Sequence, residues 1–313
     1  THLPSLFANE YMFGFFVHHM AVLTLGTIIA VYILRFGNNL SLLLKIAIFL
    51  SPALIIHSGY TTGSLDVYVL IFASLNMLFV RNPYVSAVLI FTGVLVHEAS
   101  VFTVPAQLMA LYIRNIGTET VDVRSGFKLL AAPLAAFLVA MILISAFGDA
   151  SVPRSEFEAT MRTLLPNAVD KHILWSGYFE VNSNLRQNVQ SFDKISTEVT
   201  RYYPYFALPL FYVMALCSIL ASNIKSRSIM IAVGAAALTP LLIYFVATEV
   251  YRWIALSANM ALLLILVVAA EKRVGVGKWG YAAILPFCLV APFGAMNFDR
   301  PFPLHQFILE RLM

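Results

Sequence analysis

Between Leu129 and Phe147 the chain carries not one charged residue. As a helix rising about 1.5 Å per residue, such a run covers roughly the 30 Å of a bilayer's hydrocarbon core. Comparable stretches recur at Tyr11–Leu34, Leu42–Ile56, Val67–Val80, Pro204–Ala221, Ser228–Thr248, Trp253–Ala270 and Trp279–Met296. Only 12% of residues are charged and 60% are apolar, whereas about a quarter are charged in ordinary soluble domains. The alternating strands of a membrane barrel are absent. The chain reads as an all-α, polytopic helical membrane protein.

One region breaks the pattern. VLVHEASVFTVPAQL (residues 94–108) sets His97 and Glu98 between two apolar runs, Val85–Leu95 and Val101–Tyr112. Each run is about half the length needed to cross a bilayer. Val85–Ile113 is therefore either one overlong helix, with Glu98 paired to a distant Arg, or a broken-helix hairpin with His97 and Glu98 at its tip. Ionisable side chains at membrane depth are costly unless they face a polar cavity, which makes this pair a candidate site.

Basic residues in short loops report orientation. With the hairpin counted as two half-length crossings, one side collects Arg35, Lys45, Arg81, Arg114, Arg124, Lys128, Lys225, Arg227, Lys272, Arg273 and Lys278. The short loops and tail of the other side hold Arg252, Arg300 and Arg311. The asymmetry favours the hairpin and about ten membrane segments, with both observed ends outside. Three parts follow: an N-terminal bundle half with the hairpin (1–148), a long extracytoplasmic amphipathic segment (149–202) and a C-terminal bundle half (203–313). The chain begins at Thr1 and not Met, from which a missing upstream segment is expected. The net charge of +4 is spread along the chain and does not indicate nucleic acid.

Most reactive groups fall on the expected outer side. They are His57, Tyr60 and Asp66 in HSGYTTGSLD, His97 and Glu98 at the hairpin tip, and Glu249, Tyr251 and Arg252 in ATEVYRW. Convergence of ionisable groups from distant parts of a chain marks a site at a bundle mouth. Each has a structural alternative. Glu249 and Arg252 have the spacing of a local helical ion pair, Asp66 that of an N-cap or first-turn acid, and Trp253 that of an interfacial anchor. One of His18 and His19 must face protein. Cys217 and Cys288 sit in apolar runs, as core residues do. His-Glu lacks the second His of a zinc motif, and no metal is expected.

Segment 149–202 opens with SEFEATMRTLLPN, an amphipathic helix carrying Phe157, Met161, Leu164 and Leu165 on one side. A polar helix with Arg186, Lys194 and Arg201 ends it. Along the segment, Trp175, Tyr178, Asn182, Asn184 and Gln187 are of the types that bind sugars, and also of those that populate any interfacial loop.

The His-Glu followed by an apolar run with Pro (HEASVFTVPAQL), and the late acidic-x-x-Arg-Trp helix start (TEVYRW), resemble the EpsG-like and Wzy-like polysaccharide polymerases. These are GT-C-like integral membrane glycosyltransferases of exopolysaccharide and capsule assembly. The resemblance implies polymerisation or transfer of polyprenyl-pyrophosphate-linked glycan units at the outer face of the bacterial cytoplasmic (inner) membrane. Its partners would be a lipid-linked oligosaccharide, membrane lipid and other proteins of a polysaccharide assembly machinery. His97 and Glu98 would belong to the active site and Arg252 to the pyrophosphate site. Independently, glycosyl transfer from a lipid pyrophosphate needs a base and cations for the leaving group. Glu98, with a carboxyl pKa raised by desolvation, then Asp66 or Glu249, fits the first role; Arg252 with Arg201 or Arg186 fits the second, without metal. Competing readings are a transporter or flippase for an amphipathic substrate, a non-catalytic subunit, and an outer-face acyltransferase. A transporter predicts polarity running through to the other side, whereas polarity here is expected to concentrate outside.

Overall fold

The computed structural model describes residues 10–54, 65–148, 153–164, 192–245, 250–290 and 311. Among the described residues all regular structure is helical. The N-terminal elements are α1 (Glu10–Phe36), α2 (Leu42–Phe49), α3 (Asp66–Phe79), α4 (Pro83–Val96), α5 (Val104–Ile116) and α6 (Val123–Phe147). After α7 (Arg154–Leu164) come α8 (Phe192–Ser222), α9 (Arg227–Leu238), α10 (Val250–Glu271) and α11 (Lys278–Val290).

Local chemistry sets several boundaries. Asn82 caps α4, accepting from the Tyr84 and Val85 N–H groups at 2.8 and 3.3 Å, with Pro83 where no N–H is needed. Gly117, at φ 103°, ends α5 in a conformation that a side chain disfavours. Asp122 caps α6 through the Ser125 N–H at 3.0 Å. Pro240 lacks the N–H that would continue α9, and the chain tightens into the 3-10 stretch Thr239–Phe245.

Three helices are long and apolar enough to cross a membrane: Phe16–Asn39, Val123–Phe147 and Arg252–Glu271. The other apolar helices (Leu42–Leu54, Asp66–Phe79, Pro83–Val96, Phe206–Ser222 and Arg227–Ile243) are shorter. Helices of this size and composition make a membrane protein plausible, and fewer than ten have full-span length. α10 lies at the centre, with 94% of its most apolar 18-residue stretch buried, while α6 lies at the edge, with 11% of its own such stretch buried. On α6, Leu134, Leu138, Val139, Ile142 and Phe147 are exposed, an apolar surface that suits lipid better than water. The main apolar core runs from α1 to α11, so both halves of the chain share it, and a second, smaller cluster of Ile90, Val94, Val104 and Ala140 joins α4, α5 and α6.

The hairpin alternative is the one observed. α4 stops at Val96, His97 is extended (φ −158°, ψ 131°), a 3-10 turn covers Glu98–Thr103, and α5 returns. The feet stand together, because the Asn115 side-chain amide donates to the Arg81 carbonyl at 3.1 Å. α3 lies beside α5, running the same way, joined by Asn76–Gln107 and Met77–Arg114 hydrogen bonds. Two expectations change. α8 is one 31-residue helix, so residues 202 and 203 lie within a single element. Its backbone also passes through Pro204, where a new span was expected to begin.

The bundle has two chemically distinct ends. At one, Arg81 pairs with Glu271 (3.1 Å), Lys272 donates to Thr118 (3.2 Å), and Asn223 bonds Gly275 in both directions. At the other end lie Asp66, His97, Glu98 and Arg252.

Candidate functional site

Asp66 occupies the first turn of α3, where the helix dipole favours an acid, and it is buried. Arg252 lies near the start of α10, where that dipole opposes a cation, so it needs a counter-charge. Asp66 supplies it. Arg252 donates from Nε to Asp66 Oδ2 and from Nη2 to Asp66 Oδ1, the latter at 2.7 Å. The two side chains are 12% and 6% exposed, so the pair is charge-assisted and two-pronged in a largely dry setting. The guanidinium carbon also stands 4.9 Å from the Trp253 ring centroid. Trp253 itself is buried; it supports Arg252 by a cation–π contact instead of anchoring in a headgroup belt.

His97 links this pair to the surface. Its Nε2 lies 3.8 Å from Asp66 Oδ1, and its Nδ1 lies 3.0 Å from Glu98 Oε2 and 3.1 Å from the Ala99 nitrogen. One ring nitrogen cannot accept from an amide and donate to a carboxylate at once. In the neutral ring with its proton on Nε2, Nδ1 accepts from the Ala99 N–H. In the imidazolium, the Nδ1 proton turns to Glu98 while Nε2–H faces Asp66. Exposure falls from Glu98 (56%) through His97 (11%) to Asp66 (6%), and the three form a graded series from solvent to the buried pair. At Glu98 partial burial pushes the carboxyl pKa up, but the hydrogen bond and charge of His97, with a weaker pull from Arg252, outweigh it. The carboxyl is held below its ordinary range, the reverse of the direction expected from the sequence.

Thus Asp66, His97, Glu98 and Arg252 come together. Glu249, Arg186, His57 and Tyr60 lie outside the described residues. Tyr251 sits in α10 beside Arg252 and Arg201 in α8, but their side chains lie outside the description. His18 is the buried member of its pair and His19 the exposed one. Among the described residues no group of three or more His, Cys, Asp or Glu is placed to hold a metal ion.

Sequence reasoning missed a polar ladder descending from the turn. The Thr103 hydroxyl donates to the Ser100 carbonyl (2.8 Å), Gln107 Nε2 donates to Thr103 Oγ1 (2.9 Å), and Asn76 Nδ2 donates to Gln107 Oε1 (2.7 Å). Below it Arg114, buried, donates to the Met77 carbonyl at 3.2 Å. Polarity is therefore not confined to one end. The available signal was a lone amide in each of two apolar runs.

No protein-family model matches the chain, and neither curated proteins nor solved structures yield a match.

Proposed function

We propose that the protein transfers glycan units from a polyprenyl pyrophosphate carrier at the outer face of a bacterial cytoplasmic membrane, within a topology of about ten membrane segments. The observation that carries this reading is the meeting of Asp66, His97, Glu98 and Arg252 at the end of the bundle opposite its basic loops. An acceptor hydroxyl attacks the anomeric carbon, and the bond from that carbon to the diphosphate oxygen breaks. The electron pair leaves on the pyrophosphate. The hydroxyl proton passes to Glu98, with His97 as the adjoining relay. Arg252, pre-oriented by Asp66, meets the departing anion through its planar fork, and the anion shares or displaces the Asp66 contact. The lowered pKa of Glu98 keeps it ionised, hence able to accept a proton, at neutral pH. No metal enters the scheme.

The test is chain extension in vesicles supplied with a polyprenyl-pyrophosphate-linked oligosaccharide. Wild type should extend it with chelator present; Glu98→Gln and Arg252→Lys should not, at unchanged protein level in the membrane. Extension at the wild-type rate by both variants overturns the proposal.

A second reading is a transporter or flippase for an amphipathic substrate. The Thr103–Gln107–Asn76 ladder favours it, because it carries polarity from the same end toward Arg114.

A further inference from the structure

A groove of about 430 Å³ lies between α8 and α11, near the basic end of the bundle. Its walls are apolar: Phe211 and Met214 from α8, and Val276 and Trp279 from the start of α11 and the segment before it. It exists because Ala215, Ser218 and Ser222 face Gly277, Gly280 and Ala283, and small side chains on both walls leave room between the backbones. A Cβ added at Gly277 would meet nothing within 4 Å. Trp279, 88% exposed, stands at the rim. Hydrogen bonds between Asn223 and Gly275 (2.9 and 2.8 Å) and from Val274 to the Asn39 carbonyl (3.1 Å) fix the segment carrying the rim to the bundle.

The charge that flanks the groove's lining in the chain points to the occupant. Arg273 and Lys278 bracket the lining residues Val276 and Gly277 in the chain, and both are exposed. Neither forms an ion pair with an acidic side chain among the described residues. An apolar slot with an exposed Trp at its rim, and with cations flanking its lining residues in the chain, complements a molecule with a hydrocarbon chain and an anionic head. We propose that this groove binds an anionic phospholipid of the leaflet on the basic side, with one acyl chain along Ala215, Gly280 and Ala283 and its phosphate at Arg273 and Lys278. Basic sites between helices on that side of a membrane protein recognise anionic headgroups in this way. The inference rests on the membrane reading and not on glycan transfer.

The experiment uses the full chain carrying Trp175→Phe and Trp253→Phe, leaving Trp279 as the fluorophore, in vesicles of phosphatidylcholine and phosphatidylglycerol with bromine on the acyl chains of one or the other. Brominated phosphatidylglycerol should half-quench Trp279 at a roughly tenfold lower mole fraction than brominated phosphatidylcholine. Gly277→Leu, which fills the slot, and Arg273→Gln with Lys278→Gln, which removes the charge, should each abolish that preference. The Gly277→Leu arm stands alone should the charge variant fail to insert. Equal quenching by both lipids in the unfilled protein, or a preference unchanged by Gly277→Leu, overturns the proposal. So does displacement by polyprenyl phosphate, but not by phosphatidylglycerol, since the occupant would then be a carrier lipid. Absence of glycan transfer by the chain with all three tryptophans in place, with the lipid preference intact, would sink the catalytic reading alone.

Discussion

Arg252 grips Asp66 across 186 positions of chain with two of its N–H groups, and both side chains are nearly closed to solvent. The contact ties the start of α10, the innermost helix, to the start of α3. Removing one partner takes a two-pronged counter-charge from the other in a poorly hydrated place. Arg252→Ala or Asp66→Ala should each cost about 3 kcal/mol. The double variant Asp66→Leu/Arg252→Leu should recover much of that loss, because neither charge then has to be held in a poorly hydrated place. Denaturant midpoints in mixed micelles check this; additive losses would mean that the pair is not coupled.

The hairpin makes a prediction about sides. Arg81 and Asn115 share one end of the bundle, and Glu98 lies at the other. In a background with Cys217→Ala and Cys288→Ala, a membrane-impermeant maleimide should label Glu98→Cys on intact cells. It should reach Arg81→Cys and Asn115→Cys only after permeabilisation. Labelling of Arg81→Cys and Asn115→Cys from opposite sides would mean a single crossing.

These two features were not equally legible in the sequence. Ionisable residues inside apolar runs are rare enough to single out His97 and Glu98, and the halved runs around them with Pro105 beyond mark a reversal. The Asp66–Arg252 partnership was hidden, since a helix-start acid already has a local explanation in the dipole and Arg252 had a nearer candidate in Glu249. Helix depth was hidden too. α6 and α10 read alike as apolar spans, yet one is peripheral and the other central. The distinguishing mark is polar: α10 carries Ser257 and Asn259, both buried, and Asn259 donates to the Ala53 carbonyl at 3.1 Å, the kind of partner a buried amide requires. The Asn76–Gln107 pair joins helices with another helix between them in the chain, and no local spacing announces it.

Acid should loosen the α5–α6 connection. The Asp122 carboxylate accepts from the Ser125 N–H at the cap of α6, and this hydrogen bond holds its pKa below the ordinary value. The Lys225 ammonium bonded to Glu119 at 2.5 Å does the same there. A carboxyl with a depressed folded pKa adds stability that is fully present above its unfolded pKa. That contribution declines as pH falls through the folded value. The loss should therefore appear below about pH 4 and not near neutrality. Hydrogen exchange at the Ser125 amide should accelerate there. Asp122→Ala should show fast exchange at every pH, and Asp122→Asn, which can still cap, should stay protected without the acid step.

The ladder below the hairpin tip separates catalysis from transport. Asn76 and Gln107 are both buried and bonded to each other at 2.7 Å. Gln107→Leu leaves the Asn76 amide facing apolar side chains and should destabilise by about 1–3 kcal/mol. Replacing both, Asn76→Leu/Gln107→Leu, removes the stranded donor with its acceptor and should bring stability back near wild type. That stable, apolar double variant is the useful one. If the bundle moves a substrate or protons toward Arg114, breaking the ladder stops the flux while Asp66, His97, Glu98 and Arg252 stay in place. If the chemistry is confined to the hairpin end, the double variant extends glycan at close to the wild-type rate, and only Glu98→Gln or Arg252→Lys silences it. Parallel flux and extension assays on one reconstituted preparation decide between the readings: a double variant that folds, extends glycan and carries no flux assigns the ladder to transport, and one that folds but does neither ties Asn76 and Gln107 to positioning the turn itself.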